Sequence, residues 1–433
     1  MLINFRVENF RSFKKEVNFN LYATADTEHR STHTIATAIE KNNILSSAVI
    51  FGPNASGKSN LIQAMIFMRH FVEQSALSYK ANDTIRIKPF KLSSESDGNP
   101  SSFEITFLAN GRRYRYGFSV DKNKVHEEWL YHKPGYRETP LFIRRNQEIT
   151  HLSSVFQEGS LIKKQNKTRE NALFLSVVAQ FNGEISKEIL QWFNKFNVTS
   201  NVGRNSFEHY TVNMLSNPEH RNRIIKFIRA VDFGIAGLKR KDRIIPMSKA
   251  SSAAAGLELG DGKQKVEVRQ TTIRTSHVKY GPNKEFLELI DFNLAEESIG
   301  SQKFILLAGP IIETLINGEV LVIDELDNSF HSLMTEFIVK LFHSPNINKN
   351  NAQLVFATHD TNILKQELFR RDQIWFAEKD LYGESSLTPL ISFGARKDAS
   401  LEKNYLDGRY GATPYINDDV DEIFNTNSLE LGL

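Results

Sequence analysis

The chain of 433 residues contains no cysteine. That excludes disulfide staples, thiolate zinc sites and cysteine nucleophiles, and it fits a reducing cytoplasm. Long apolar runs are lacking too: the stretch around Val320–Ile323 is flanked by acid and far shorter than a bilayer span. The N-terminus, MLINFRVENFRSF, has no continuous apolar segment of the kind a signal peptide needs. Charge of one sign is also missing. The 54 Lys and Arg against 51 Asp and Glu leave a net +3, so composition alone makes no case for nucleic acid. No sustained heptad and no internal repeat occur, which argues against a long coiled-coil arm. What is present is an ordinary globular balance, 40% apolar and 24% charged, enough for one large domain or two to three modest ones. A cytoplasmic protein without membrane contact is the expectation.

Against that background one stretch is specific. Residues 52–59, GPNASGKS, fit G-x-x-x-x-G-K-S in full. The apolar run ILSSAVIF (Ile44–Phe51) before them reads as a buried strand, and NLIQAMIFMRHFVEQ (Asn60–Gln74) after them has a helical period. Strand, glycine-rich loop and helix are the context a P-loop requires. The backbone of Gly52, Asn54, Ala55, Ser56, Gly57, Lys58, Ser59 and Asn60 would cradle phosphates at the positive end of a helix. Lys58 would reach the terminal phosphates, and Ser59 would ligate Mg²⁺. The expected cofactors are therefore ATP and Mg²⁺.

Three further stretches supply matching chemistry. Val320–Ile323 reads as an apolar strand ending in Asp324-Glu325. Asp324 suits the Mg²⁺ shell and Glu325 can polarise a water, while Asp327 follows in the same loop. AQLVFATHD (Ala352–Asp360) reads as another strand, ending in Thr358-His359, where His359 can contact a γ-phosphate or order the attacking water. Ser298-Ile299-Gly300-Ser301 opens a helix with apolar Phe304, Leu307, Ile311 and Leu315. Ser298 and Gly300 there are either a second anion site or a plain N-cap.

In this order the motifs resemble the ABC-type ATPase head of the SMC and RecF kind. The resemblance implies that Ser298–Ser301 is the signature gripping nucleotide on an opposite protomer, that Asp327 opens the D-loop and that His359 is the switch histidine. It also implies that Arg11 and Ser12, in INFRVENFRSFKK, fall near the nucleotide. The closer likeness is to the RloA/AbiL-type ATPases of phage-defence loci, carried by NFRSFKKEVNFNL, GPNASGKSNLIQAM, FEITFLANGRRYRYGF, NALFLSVVAQFN, KFILLAGPIIETL, VLVIDELDNSFH, LVFATHDTNIL, RRDQIWFAEKD and LEKNYLDGRYGATP. These stretches run from residue 4 to about 414. Ser-Ile-Gly-Ser departs from the Leu-Ser-Gly-Gly-Gln of transporters, and neither Gln63 nor Gln74 can be placed as a Q-loop glutamine. The resemblance implies a slow ATP hydrolase that self-associates and controls a separately encoded effector, such as a Toprim-type or RloB-like nuclease, in response to a phage-derived trigger. The alternative it leaves open is a RecF/SMC-like DNA-maintenance ATPase that clamps DNA.

The expected fold is α/β: an ABC-type P-loop head, a mixed sheet flanked by helices with an antiparallel β lobe, carrying a helical insertion. Residues 1–150 would hold the P-loop and the antiparallel lobe, whose hairpin turn is Asn110-Gly111. Strand alternation there puts Tyr114 and Tyr116 on the core face, away from Arg113 and Arg115. Residues 151–265 would be a mainly helical insertion, with helices at Glu184–Val198 and Glu219–Phe233, ending in the small-residue linker Ser248–Lys263. Residues 266–433 would complete the head. The basic clusters Arg112-Arg113, Lys163-Lys164 with Lys167 and Arg169, and Lys239–Lys241 with Arg243 could bind phosphates or be balanced solvated faces. Asp418-Asp419-Val420-Asp421 reads as a solvated tail rather than a nuclease site.

Overall fold

The computed structural model describes residues 1–135, 137–199, 204–231, 234–246, 267–397 and 399–413. Val266, Ser248–Lys263 and the acidic run Asp418–Asp421 lie outside the described residues. The core is a six-stranded sheet in the order Phe196–Thr199, Val320–Ile323, Gln353–Ala357, Ser47–Phe51, Ile374–Lys379, Ser385–Pro389. Its first five strands are parallel and the last is antiparallel. Every residue of Ser47–Phe51, Val320–Ile323 and Gln353–Ala357 is buried. That explains their unbroken apolar character, since helices cover both faces of a parallel sheet. Ile323 pairs with Phe356, and Ala357 with Ile50. The three strands therefore end level, and the loops that leave them emerge side by side at one sheet edge.

A seven-stranded antiparallel sheet forms the second layer, in the order Glu148–Leu152, Thr139–Arg145, Val125–Lys133, Arg112–Val120, Ser101–Ala109, Leu2–Glu8, Val17–Asn20. The helix Lys58–Gln74 lies between the two sheets. Its Leu61, Met65, Met68 and Phe71 share one core with Phe103 and Phe118. The hairpin turn has Asn110 at φ 44° and Gly111 at φ 73°, the left-handed pair that matches strand twist. Tyr114 and Tyr116 are buried as alternation required, while Arg115 on the other face bonds Glu104 and Glu138.

The segment expected to be a helical insertion is more deeply built in. Helix Glu184–Asn194 stops short, and Phe196–Thr199 enters the central sheet beside Val320–Ile323 instead of prolonging the helix to Val198. Helix Arg204–Met214 follows, then Pro218–Arg229, capped by Asn217, and Phe233 lies outside the described residues. A separate three-stranded antiparallel sheet follows, Ile235–Pro246, Glu267–Tyr280 and Phe286–Asn293. The helix Ile299–Asn317 is long and apolar enough to cross a membrane by length and composition, but it is mostly buried and carries Pro310 inside it. It packs as a core helix under Val320–Ile323.

Candidate nucleotide-binding site

The glycines of the P-loop are dictated by space and backbone. A Cβ on Gly52 would lie 2.3 Å from the Ala377 carbonyl oxygen, and Gly57 has φ 113° with Ser385 Oγ 2.5 Å from where its Cβ would be. Ala55 takes a left-handed φ of 62° at the exposed tip. Helix Lys58–Gln74 starts directly after Gly57, and no side chain caps it. Its first N–H groups are therefore left for a ligand, as an anion site needs. Lys58 is buried, and its Nζ donates to Gly52 O at 2.7 Å and Pro53 O at 2.8 Å, filling the loop.

The acidic loop meets this lysine from the neighbouring strand. Burial pushes the Asp324 carboxyl up to about 6, with a hydrogen bond from Ser59 opposing and the Glu325 charge adding to the rise. Burial likewise pushes the Lys58 ammonium down to about 8, offset by the charges of Asp324, Glu325 and Asp327. Asp324 Oδ1 is buried without a hydrogen-bond partner. An orphaned carboxylate oxygen beside the Ser59 hydroxyl is the donor set a hard divalent cation takes. The residues thus fit a Mg²⁺-bound nucleoside triphosphate.

His359 lies one strand further. Its Nδ1 is 3.5 Å from Lys58 Nζ, and its backbone N–H donates to Asp327 Oδ2 at 3.3 Å. Burial and the Lys58 charge lower its imidazole below the ordinary range, which favours the neutral ring. Glu325 sits at φ 52° and Ser329 at φ 74°, so a left-handed residue stands at each end of the loop between them. Asn328 Nδ2 donates to Glu325 Oε2 at 3.1 Å.

Arg11 and Ser12 approach the other side of the helix start. Asn60 Nδ2 donates to Ser12 Oγ at 2.7 Å, and Arg11 reaches Asn60 Oδ1 at 3.5 Å and Gln63 Oε1 at 3.4 Å. Gln63 is thereby engaged by Arg11 within the helix rather than on a separate loop. Ser298 is the N-cap of Ile299–Asn317: its Oγ accepts from Ser301 N at 3.1 Å. Gly300 packs on the acidic loop, where an added Cβ would lie 2.6 Å from Ser329 O. Among the described residues no hydrogen bond joins Ser298 or Gly300 to Gly52–Ser59. The fold therefore brings together every candidate except those two, which touch the site only through the acidic loop.

Ser385, Asn328 and Lys303 were not singled out in the sequence. Ser385 donates its N–H to Ser12 O at 2.7 Å and backs Gly57, and nothing near it in sequence marks it. Lys303 Nζ reaches Asn328 O at 3.3 Å, a helical turn beyond the Ser298 cap. The basic clusters are occupied in part: Arg113 faces Glu40, which Lys133 shares, Lys239 binds Asp291, and Arg240 binds Asp242. Arg169 is turned inward onto the carbonyls of Ser75, Ala76 and Tyr79. The cavity of about 940 Å³ lined by Lys41, Arg112, Arg113 and Lys133 lies at the end of the antiparallel sheet remote from the P-loop.

A parallel sheet whose level strand ends present a P-loop, an Asp-Glu pair and a histidine, with an antiparallel lobe over the P-loop helix, defines an ABC-like P-loop ATPase. The chain belongs to the family described as "AAA domain, putative AbiEii toxin, Type IV TA system", which matches residues 47–365, about three quarters of its length. Among solved structures it is similar to the SMC head domain from Thermotoga maritima, with 13% identity, a TM-score of 0.39, and coverage of 90% of this chain and 98% of that one. It is also similar to the Smc head domain with an extended coiled coil bound to the C-terminal domain of ScpA, derived from Pyrococcus furiosus, with 12% identity, a TM-score of 0.37, and coverage of 90% and 97%. At such scores the overlays add nothing to the strand order and loop placement. No curated protein matches the sequence.

Proposed function

We propose that this chain is an ATP-driven switch of the RloA/AbiL kind, in which two heads close over ATP and Mg²⁺ and so control a separately encoded effector of an anti-phage system. The observation that carries the reading is the meeting of Lys58, Ser59, Asp324, Glu325, Asp327 and His359 at one sheet edge, although the first and last lie at opposite ends of the chain. Bound ATP would supply a γ-phosphoryl group whose transfer to water releases free energy. Lys58 would hold its phosphates, and Ser59 with Asp324 would hold Mg²⁺. Glu325 would take a proton from the attacking water, and the neutral His359 ring would orient it.

The second head enters through Ser298 and Gly300. They stand at a helix start with Ile299 66% exposed between them, an apolar side chain that a docked copy would cover. Gly300 and Lys303 contact the acidic loop of their own chain, so nucleotide gripped by the signature would be felt at Glu325 and His359. Support for effector control over DNA clamping comes from the pairing of Arg113, Lys239 and Arg240 with acids and the inward turn of Arg169, which withdraw four bases of these clusters from a phosphate track. The test is affinity capture of the protein from its host before and during phage infection, read by mass spectrometry. A dedicated protein partner that leaves or changes on infection supports the proposal. Recovery of DNA and DNA-repair proteins, unchanged by infection, overturns it in favour of the DNA-clamping reading.

A further inference from the structure

The strand Phe286–Asn293 is open to solvent along nearly its whole length. Phe286 is 63% and Leu287 51% exposed, on opposite faces, and Leu289, Ile290 and Phe292 are exposed as well. It bonds Glu267–Tyr280 on one side, and its other edge is unpaired among the described residues. Soluble proteins avoid a long apolar edge of this kind unless something covers it.

The two edges of this small sheet carry opposite charge. Phe286–Asn293 has Glu288 and Asp291 and no base of its own, each acid bonding one lysine of the neighbouring strands, Lys279 and Lys239. Ile235–Pro246, the far edge, has Lys239, Arg240, Lys241 and Arg243 against the single acid Asp242. The first part of that far edge is tied to helix Pro218–Arg229, where Arg229 bonds the Ile235 and Ala236 carbonyls. Its later part is exposed, with Ile244 67% accessible beside Arg243.

We propose that the sheet joins copies of this chain edge to edge: Phe286–Asn293 of one copy pairs with the basic Lys241–Ile244 edge of a second copy. Charge selects that occupant. Pairing two copies of the acidic strand with each other would set Glu288 and Asp291 among their own kind, whereas the basic edge offers Lys241 and Arg243 and an apolar Ile244. Added-strand pairing contributes main-chain hydrogen bonds along the contact. A head-to-tail contact joins different surfaces of the two copies, so it closes as a ring or continues as a filament and builds assemblies larger than a dimer. The contact does not involve the P-loop, and it forms without nucleotide.

The absence of cysteine makes the test direct, because each introduced thiol is unique in the chain. Full-length Leu289→Cys and Ile244→Cys chains are treated with a short bis-maleimide, alone and mixed, without nucleotide. The mixture is expected to give covalent dimer in roughly tenfold excess over either variant alone, with the same yield when both also carry Lys58→Ala. Glu288→Lys is expected to abolish the product, and Arg243→Glu in the other chain to restore it. Efficient linkage of Leu289→Cys to itself would overturn the proposal in favour of like-strand pairing. No linkage with a monomeric mass in light scattering would overturn it in favour of cover from within the chain. A yield that requires ATP would overturn it as well, whereas loss of nucleotide binding alone would sink only the head-closure reading.

Discussion

Replacing Lys58 with methionine should slightly stabilise the nucleotide-free fold at neutral pH while removing its response to ATP. Burial lowers the Lys58 ammonium from its ordinary 10.5 to about 8. At about 1.4 kcal/mol per unit, keeping that charge in the folded chain costs about 3 kcal/mol at pH 7. Methionine fills similar space without charge, but it leaves the Gly52 and Pro53 carbonyls without their donor. Two such bonds contribute about 2 kcal/mol, so the variant gains about 1 kcal/mol. The sign changes with pH. Between 8 and 10.5 the unfolded chain still holds the proton and the folded chain does not, so wild-type stability rises with pH across that window and is level below it. Above it the variant is the less stable by about 2 kcal/mol. Urea unfolding of both chains in parallel at pH 7 and pH 10 reads the difference, in which other titrating lysines and tyrosines cancel. Saturating ATP with Mg²⁺, at about 100 times its dissociation constant, should stabilise the wild type by about 2.7 kcal/mol and the variant not at all. A variant less stable at both pH values by the same amount would refute the desolvation argument. A variant still stabilised by ATP would refute the P-loop assignment.

Other outcomes follow from the packing. Glu128 is fully buried and accepts from Tyr116 OH, Phe174 N and Leu175 N at 2.9, 2.6 and 3.0 Å, with Arg144 at 3.4 Å. Glu128→Ala should cost about 3–5 kcal/mol in urea unfolding, since it strands the buried Arg144; a loss under 1 kcal/mol would contradict this. His33 stacks on His343 with ring centroids 3.6 Å apart, and burial lowers both, His33 to about 4. Neutral in the fold, His33 contributes stability that is present above about 6.5 and lost as pH falls towards 4, about 3 kcal/mol in all. His33→Gln should flatten that acid limb, and an unchanged slope would show that the ring is not desolvated. Gly300→Ala should lower ATP turnover severalfold without weakening ATP binding, because its Cβ would press on Ser329 O; weakened binding with normal turnover would contradict the coupling through the acidic loop.

The P-loop, the Asp-Glu pair and the strand ending in His359 were legible because each couples an unbroken apolar run to a specific polar terminus. Short, β-branched runs bounded by turn residues fit strands buried on both faces. The Ser298 cap was legible for a local reason as well, since its hydroxyl bonds three residues on. Phe196–Thr199 was not. Its residues continue a helical apolar period, and only pairing with Val320–Ile323, over a hundred residues away, makes them a strand. Ile235–Pro246 escaped for a related reason: its run of charges reads as surface, and only the register with Glu267–Tyr280 orders it. Ser385 reaches the P-loop through sheet closure alone. Asn328 lay inside a recognised motif, but its grip on Glu325 depends on the left-handed turn at Glu325.

The most direct test is the mass of Glu325→Gln in light scattering with and without ATP and Mg²⁺, in a Glu288→Lys background so that strand pairing does not contribute. Stalled hydrolysis should hold two heads together, so the mass should double with ATP, and the further change Lys58→Ala should return it to that of a single chain. A mass that ATP leaves unchanged would contradict closure of two heads over nucleotide.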